Sequence, residues 1–167
     1  IIKVSVMNEK GVESLVEGLQ VTYTPDTPIV PDLHVIAIGV SKFLQSDYNL
    51  TYADKDANDL VNLMKNIKGY GQVYVHDFTN EKATTNNILS VRSALEKTKV
   101  DDKVVVFIAS HGLLDDELDY YIAMHDTDFN NPKAGGLRYD KLEALLDGIP
   151  ARNKLMFLDA CHSGEVD

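Results

Sequence analysis

Cysteine is almost missing from this chain: Cys161 is the only one among 167 residues. A single thiol excludes an intrachain disulfide framework and leaves three roles for it: packed and inert, paired with another chain, or reactive. Basic residues are also scarce, 16 against 26 acidic ones, for a net charge of −10. The resulting pI near 4.8 argues against a protein that lives on nucleic-acid phosphates. Long apolar runs are absent, and the longest, Val104 to Ala109, is far too short to span a bilayer. No basic stretch with an apolar core and a cleavage site marks a signal peptide. Lacking disulfides, the chain is expected in the cytoplasm. It begins Ile1-Ile2 rather than with Met, so it is expected to be cut from something longer. What remains is ordinary for a globular protein, 44% apolar and 25% charged, with length enough for one sizeable core.

Proline is sparse overall, but Pro25, Pro28 and Pro31 crowd into one segment. That segment can hold neither a helix nor a central strand and reads as a linker over 25–32. Before it, residues 1–24 read as a β-hairpin: apolar residues alternate at Ile2, Val4 and Val6, a turn falls at Asn8 to Gly11, and a β-rich run follows at Leu19 to Tyr23. A lone hairpin is marginal in water, so these strands are expected to finish a sandwich-type domain or to lie on the main one.

Beyond the linker, over 33–167, the chain alternates. His34 to Val40 is a near-continuous apolar strand. Ala53, Ala57, Leu60, Met64 and Ile67 recur at helical spacing, with Thr51 and Asp54 placed like a capping box and Gly69 and Gly71 ending the helix. Val73 to Phe78 makes a strand, and Thr84 or Thr85 caps a helix carrying Ile88, Val91 and Leu95. Lys103 to Ala109 reads as a strand buried on both faces. Tyr120 to Met124 is a short strand, Leu137 to Leu146 a helix, and Lys154 to Leu158 another apolar strand. Strands alternating with helices predict an α/β fold: a three-layer αβα sandwich around a mainly parallel sheet.

In such sheets functional groups gather beyond the carboxyl ends of the strands. Two strand ends here carry unusual side chains: Ser110-His111-Gly112 after one, and Asp159-Ala160-Cys161-His162-Ser163-Gly164 after the other. If the two strands are neighbours, His111 and Cys161 face one crevice. A thiol nucleophile needs such an imidazole to hold its thiolate and to protonate the leaving group. Gly112 lets a substrate approach the backbone closely, and the amides of Gly112 and Cys161 suit an oxyanion site. Each residue alone has an inert reading, since free cysteines are usually buried and lone histidines usually structural.

The runs Val104 to Gly112 (VVVFIASHG) and Leu155 to Gly164 (LMFLDACHSG) resemble the caspase-like cysteine peptidases, most closely the metacaspase and bacterial caspase-like branch. The resemblance extends from Leu33 to the chain end. It implies His111 as general acid and base, Cys161 as nucleophile, a thioester acyl-enzyme, and no metal or organic cofactor in the bond-making steps. Caspases proper prefer aspartate before the scissile bond and use an arginine ahead of the first helix; Leu50 stands there in Tyr48 to Ala57 (YNLTYADKDA). Metacaspases prefer Arg or Lys and use two carboxylates, which match Asp56 and Asp159. Two carboxylates on a pocket floor attract a guanidinium or ammonium group. Taken alone, Asp56 also fits the acid-rich first turn of any helix. Asp159, at the end of a strand read as buried, is costly there without a partner.

Many metacaspases are activated by calcium through a surface cluster of aspartates. Asp126 and Asp128 stand near one member of such a cluster. Leu137 to Asp140 offers only Asp140, with Arg138 and Tyr139 interrupting, and this departure counts against a tight site. Asp115, Asp116, Glu117 and Asp119 read as solvated surface. The chain stops at Asp167, soon after Cys161, whereas caspase-like domains continue with further strands. It resembles a large-subunit portion, incomplete at its C-terminal side, with a small-subunit-like segment or chain as partner. Residues 1–24 resemble the tail of an immunoglobulin-like domain. The expected substrate is a protein or peptide with Arg or Lys before the scissile bond, with neither nucleic acid nor membrane as partner. Two other readings stand beside this one: a caspase-like scaffold without turnover, and a flavodoxin-like domain binding a metal through His111, Asp126, Asp159 and His162. The last lacks recognised ligand spacing.

Overall fold

The computed structural model describes residues 2–22 and 26–160. At its start β1 (Ile2–Val4) pairs antiparallel with β2 (Glu17–Leu19). Asn8 builds the turn: its side-chain oxygen accepts the amides of Lys10 and Val12, and Gly11 takes a positive φ of 77°. The second strand falls earlier than the β-rich run at Leu19 to Tyr23 predicts. The turn sets a register that puts Leu19 opposite Ile2 and Glu17 opposite Val4.

The main sheet has four strands in the order β4-β3-β5-β9, every pair parallel. They are β3 (Leu33–Gly39), β4 (Val73–Thr79), β5 (Lys103–Ala109) and β9 (Asn153–Asp159). Between β3 and β4 lies α1 (Ala53–Lys65), which covers one face of the sheet, with Ala57 and Val61 against Ala37. The other face is covered by α2 (Thr85–Leu89), α3 (Arg92–Leu95) and α4 (Tyr139–Leu146). There Ile88, Leu95, Leu142 and Leu145 pack on Ile36, Ile38, Val104 and Ile108. Alternate residues of one strand thus feed two different cores, and β3 is buried along its whole length. A second, antiparallel sheet, β6 (Gly112–Leu114), β7 (Tyr120–Ile122) and β8 (Leu137–Arg138), extends the chain from the end of β5. The three layers and the parallel sheet are those read from the sequence.

Four local readings need correction. Thr51 and Asp54 form no capping box: α1 begins with no side-chain cap. The Asp54 carboxylate instead accepts from Ser41 Oγ at 2.7 Å and Asn80 Nδ2 at 2.9 Å, because these groups at the ends of β3 and β4 outcompete a local cap. Ile67 falls outside α1, which closes at Asn66. Leu137 is a strand residue pairing with Ile122, not the first turn of a helix; its side chain is fully buried. Finally, β9 is an edge strand, paired only with β5 among the described residues. Met156 and Leu158 pack into the core, whereas Leu155, Phe157 and Asp159 are exposed.

Gly39 explains why α1 sits where it does. A Cβ there would lie 2.3 Å from the Ala53 carbonyl oxygen and 2.7 Å from the Ala57 Cβ. Only glycine lets the first turn of α1 rest directly on the carboxyl end of β3.

Candidate active site

The strands β5 and β9 are neighbours, with Ala109 opposite Asp159, so the two sequence runs that carry His111 and Asp159 end side by side. The Ser110 amide donates to the Asp159 carbonyl at 3.2 Å, and Ser110 Oγ donates to the Ala123 carbonyl at 2.6 Å. The Ala123 amide in turn donates to the His111 carbonyl at 2.8 Å. The backbone at His111 is therefore tied both to the edge strand and to the segment after β7.

The imidazole is held as firmly. His111 Nε2 lies 2.8 Å from the carbonyl oxygen of Tyr48. A carbonyl can only accept, so Nε2 carries a proton and Nδ1 is the nitrogen left to take or give one. Aromatic rings pack around it: Phe43 at 5.5 Å between centroids, tilted, and Phe129 at 5.5 Å, edge to face. None of these contacts was legible in the sequence. The Tyr48 partner is a backbone atom, which no residue type announces, and Phe43 and Phe129 lie in loops without periodicity.

A pocket of about 430 Å³ opens at this end of the sheet. Its lining includes His111, Ser110, Asp56, Asp159, Tyr52 and Ala160, with no lysine or arginine among the described lining residues. Asp56 arrives from the first turn of α1, where the helix dipole favours a carboxylate, and Asp159 from the last residue of β9. Both carboxylates are exposed. The burial expected for Asp159 does not hold, because β9 is the sheet edge among the described residues. Gly112 is buried and opens β6 directly after His111. Cys161, along with His162 and Gly164, lies outside the described residues; Ala160, the residue before it, lines the pocket.

Among the described residues of the metal reading, the structure brings His111 and Asp159 to one pocket but not Asp126. Asp126 lines a separate cavity with Thr85, Lys133 and Gly135, and His162 lies outside the described residues. Asp126, Asp128 and Asp140 do not form one group of convergent ligand atoms among the described residues. Asp140 faces Arg138 at 3.3 Å, and Asp128 accepts the Asn130 amide. The loop read as solvated acid is more organised than expected. Asp115, Glu117 and Asp119 bring their oxygens within 4.8 Å of one another. Asp115 accepts the Glu117 and Asp119 amides, and Lys133 lies 3.3 Å from Asp115 and 3.2 Å from Glu117. Burial opposes ionisation of Asp115, but the two amides and the ammonium outweigh it and hold its carboxyl below the ordinary value.

No curated protein matches the chain. Among solved structures, protein GSU0716 from Geobacter sulfurreducens has a TM-score of 0.63 at 22% identity, over 80% of this chain and 52% of that one. That likeness speaks to the fold, and this chain spans about half the length of that structure. Residues 33–167 match the caspase domain family, so the chain belongs to that family of cysteine peptidases.

Proposed function

We propose that the chain is the large-subunit-like part of a cysteine endopeptidase that cleaves after arginine or lysine. The observation that carries this reading is one pocket shared by His111, Asp56, Asp159 and Ala160, the residue before Cys161. In the proposed reaction the Cys161 thiol gives its proton to His111 Nδ1, and the thiolate attacks the carbonyl carbon of the scissile bond. The amides of Gly112 and Cys161 hold the charge that develops on the carbonyl oxygen. The C–N bond then breaks as His111 returns the proton to the departing amine, leaving a thioester. Water gives a proton to the same nitrogen and attacks the thioester; the C–S bond breaks to release the acid, and His111 returns that proton to the departing thiolate. No metal or organic cofactor has a step in this scheme.

Specificity follows from charge. An arginine or lysine side chain entering a pocket with two carboxylates and no competing cation is attracted there, and a planar guanidinium can meet both acids. The exposed Leu155 (53%) and Phe157 (46%) on β9 support a partner as well. A small-subunit-like segment or chain adding a strand to this edge covers both and blunts an aggregation-prone edge.

The test uses the complete catalytic unit, this chain with whatever follows it, on fluorogenic peptides ending in Arg, Lys, Asp or Leu. Turnover of Arg and Lys peptides that vanishes in Cys161→Ala is the expected result. Turnover of the Asp peptide overturns the specificity. Silence on every peptide, with and without added calcium, favours a scaffold without turnover.

A further inference from the structure

His111 sits where three separate segments meet. The first is the loop from Ser41 to Asn49 between β3 and α1, the second is the end of β5, and the third is the loop after β7 that carries Phe129. The Phe129 ring lies parallel to Tyr48, 3.8 Å between centroids and 3° between planes. It stands edge to face with His111 at 5.5 Å and 82°, and with Phe43 at 5.1 Å and 84°. One ring thus touches the imidazole and also the residue whose carbonyl holds that imidazole.

The backbone ties the same two loops together. The Phe129 amide donates to Gln45 Oε1 at 2.8 Å, and the Leu44 amide to the His125 carbonyl at 2.9 Å. His125 Nδ1 lies 2.6 Å from the Lys42 carbonyl and so donates to it. Within the first loop, the Phe43 amide donates to Asn49 Oδ1 at 2.9 Å. These bonds fix where the Phe129 backbone lies relative to the Tyr48 segment. They do not by themselves orient the Tyr48 carbonyl or the His111 ring. The Tyr48 backbone is set by the 3-10 turn Ser46–Tyr48, whose Tyr48 amide donates to the Gln45 carbonyl at 3.1 Å, and the directional stacked and edge-to-face contacts orient the Tyr48 and His111 rings on it.

We propose that Phe129 is a positioning residue for His111: by stacking on Tyr48 and abutting the imidazole, it keeps Nε2 on the Tyr48 carbonyl and leaves Nδ1 presented to the pocket. The catalytic part of this inference rests on the peptidase reading above; the geometric part does not. Phe129 touches neither substrate nor reacting atoms. Its effect passes through the tautomer and orientation of His111. Misplacing a reacting group by about 1 Å can cost on the order of 100-fold in rate, so the loss should appear in kcat rather than in KM.

The test compares Phe129→Leu, which keeps apolar volume without a ring, and Phe129→Tyr, which keeps the ring. Nitrogen chemical shifts of the His111 ring report whether Nε2 alone is protonated, and they need no substrate. The expected result in Phe129→Leu is an unfolding midpoint near that of the parent and averaging of the two His111 tautomers. With it come a kcat about 10- to 100-fold lower and a KM within about twofold. Phe129→Tyr restores both readouts. A His111 tautomer unchanged in Phe129→Leu overturns the clamp, as does an active Phe129→Leu enzyme with parental kcat. An inactive parent whose His111 ring still averages in Phe129→Leu upholds the clamp and overturns the peptidase reading instead. If Phe129→Leu fails to fold, a Gln45→Ala variant, which releases the Phe129 backbone, takes its place with the same expectations at smaller amplitude.

Discussion

His111 donates its Nε2 proton to the carbonyl oxygen of Tyr48, 2.8 Å away. That one bond puts the ring's proton on Nε2 and leaves Nδ1 as the nitrogen that the proposed reaction uses. It also costs the protein nothing in specialised side chains, since any residue at position 48 has a carbonyl.

The first prediction follows from it. Replacing His111 by Gln keeps a side-chain amide able to donate to Tyr48 but removes the base. The expected loss in kcat is about 10²- to 10⁴-fold, the usual contribution of a positioned acid–base group, with KM little changed. Steady-state kinetics on an Arg peptide measure it. A kcat within tenfold of the parent takes the acid–base role away from His111.

The second concerns the two carboxylates of the pocket. Asp56→Asn and Asp159→Asn are nearly isosteric and leave the backbone positions alone. Removing one partner of a bound charge pair commonly costs about 2–5 kcal/mol, so kcat/KM on Arg peptides should fall by about 30-fold or more in each. Both groups are exposed, which places the effect at the lower end and makes it salt-sensitive. Activity on uncharged peptides should hold. Undiminished Arg cleavage in both variants sinks the acidic pocket.

Much of the scaffold was legible because its periodicities are strong. Unbroken apolar runs gave β3 and β5, and the spacing of Ala53, Ala57 and Leu60 gave α1. Placing two motifs at strand ends brought His111 and Asp159 to one pocket. What escaped was set by tertiary partners. Asp54 looks like a cap in sequence, yet it bonds Ser41 and Asn80, which lie on segments far from it in the chain. Leu137 reads equally well as helix or strand until β7 offers it a neighbour. The apolar run of β9 suggests burial on both faces, whereas only Met156 and Leu158 reach the core. The ring cluster around His111 was invisible, since it assembles from two loops and the end of β5.

A third prediction tests the contact between β3 and α1. Gly39→Ala would set a Cβ 2.3 Å from the Ala53 carbonyl oxygen. That atom is backbone, so the helix itself must shift. Overpacking of this kind costs about 1–3 kcal/mol, seen as a Tm lower by several degrees. Because Asp56 rides on the same helical turn, kcat/KM on Arg peptides should fall along with stability. An unaffected Tm shows that α1 does not rest on Gly39 as described.

The fourth concerns acid stability, and it draws on two histidines and on carboxylates at both ends of the sheet. His34 and His76 face a cavity of about 290 Å³ also lined by Asp32, Asp102, Tyr74 and Lys99. Burial pushes the His34 imidazole below its ordinary value of 6.5, although Asp102, 4.0 Å from its Nε2, and Asp32 pull the other way. Burial lowers His76 too, with the charge of His34 adding to the effect. Below 6.5 the unfolded chain therefore binds more protons than the folded one, and stability falls as the pH drops. The carboxylates act in a lower window. Hydrogen bonds from Ser41 and Asn80 depress Asp54, and the Gln72 amide, followed by Lys99, depresses Asp32, both below 3.8. The stability they contribute is present above 3.8 and is lost only as the pH falls through their lowered values. Denaturant midpoints measured from pH 7.5 to 3 should thus decline in two stages. His76→Gln should flatten the upper stage, and Ser41→Ala, which removes a hydroxyl donor from Asp54, should reduce the lower one. An upper stage that survives intact in both His34→Gln and His76→Gln assigns the decline to other groups.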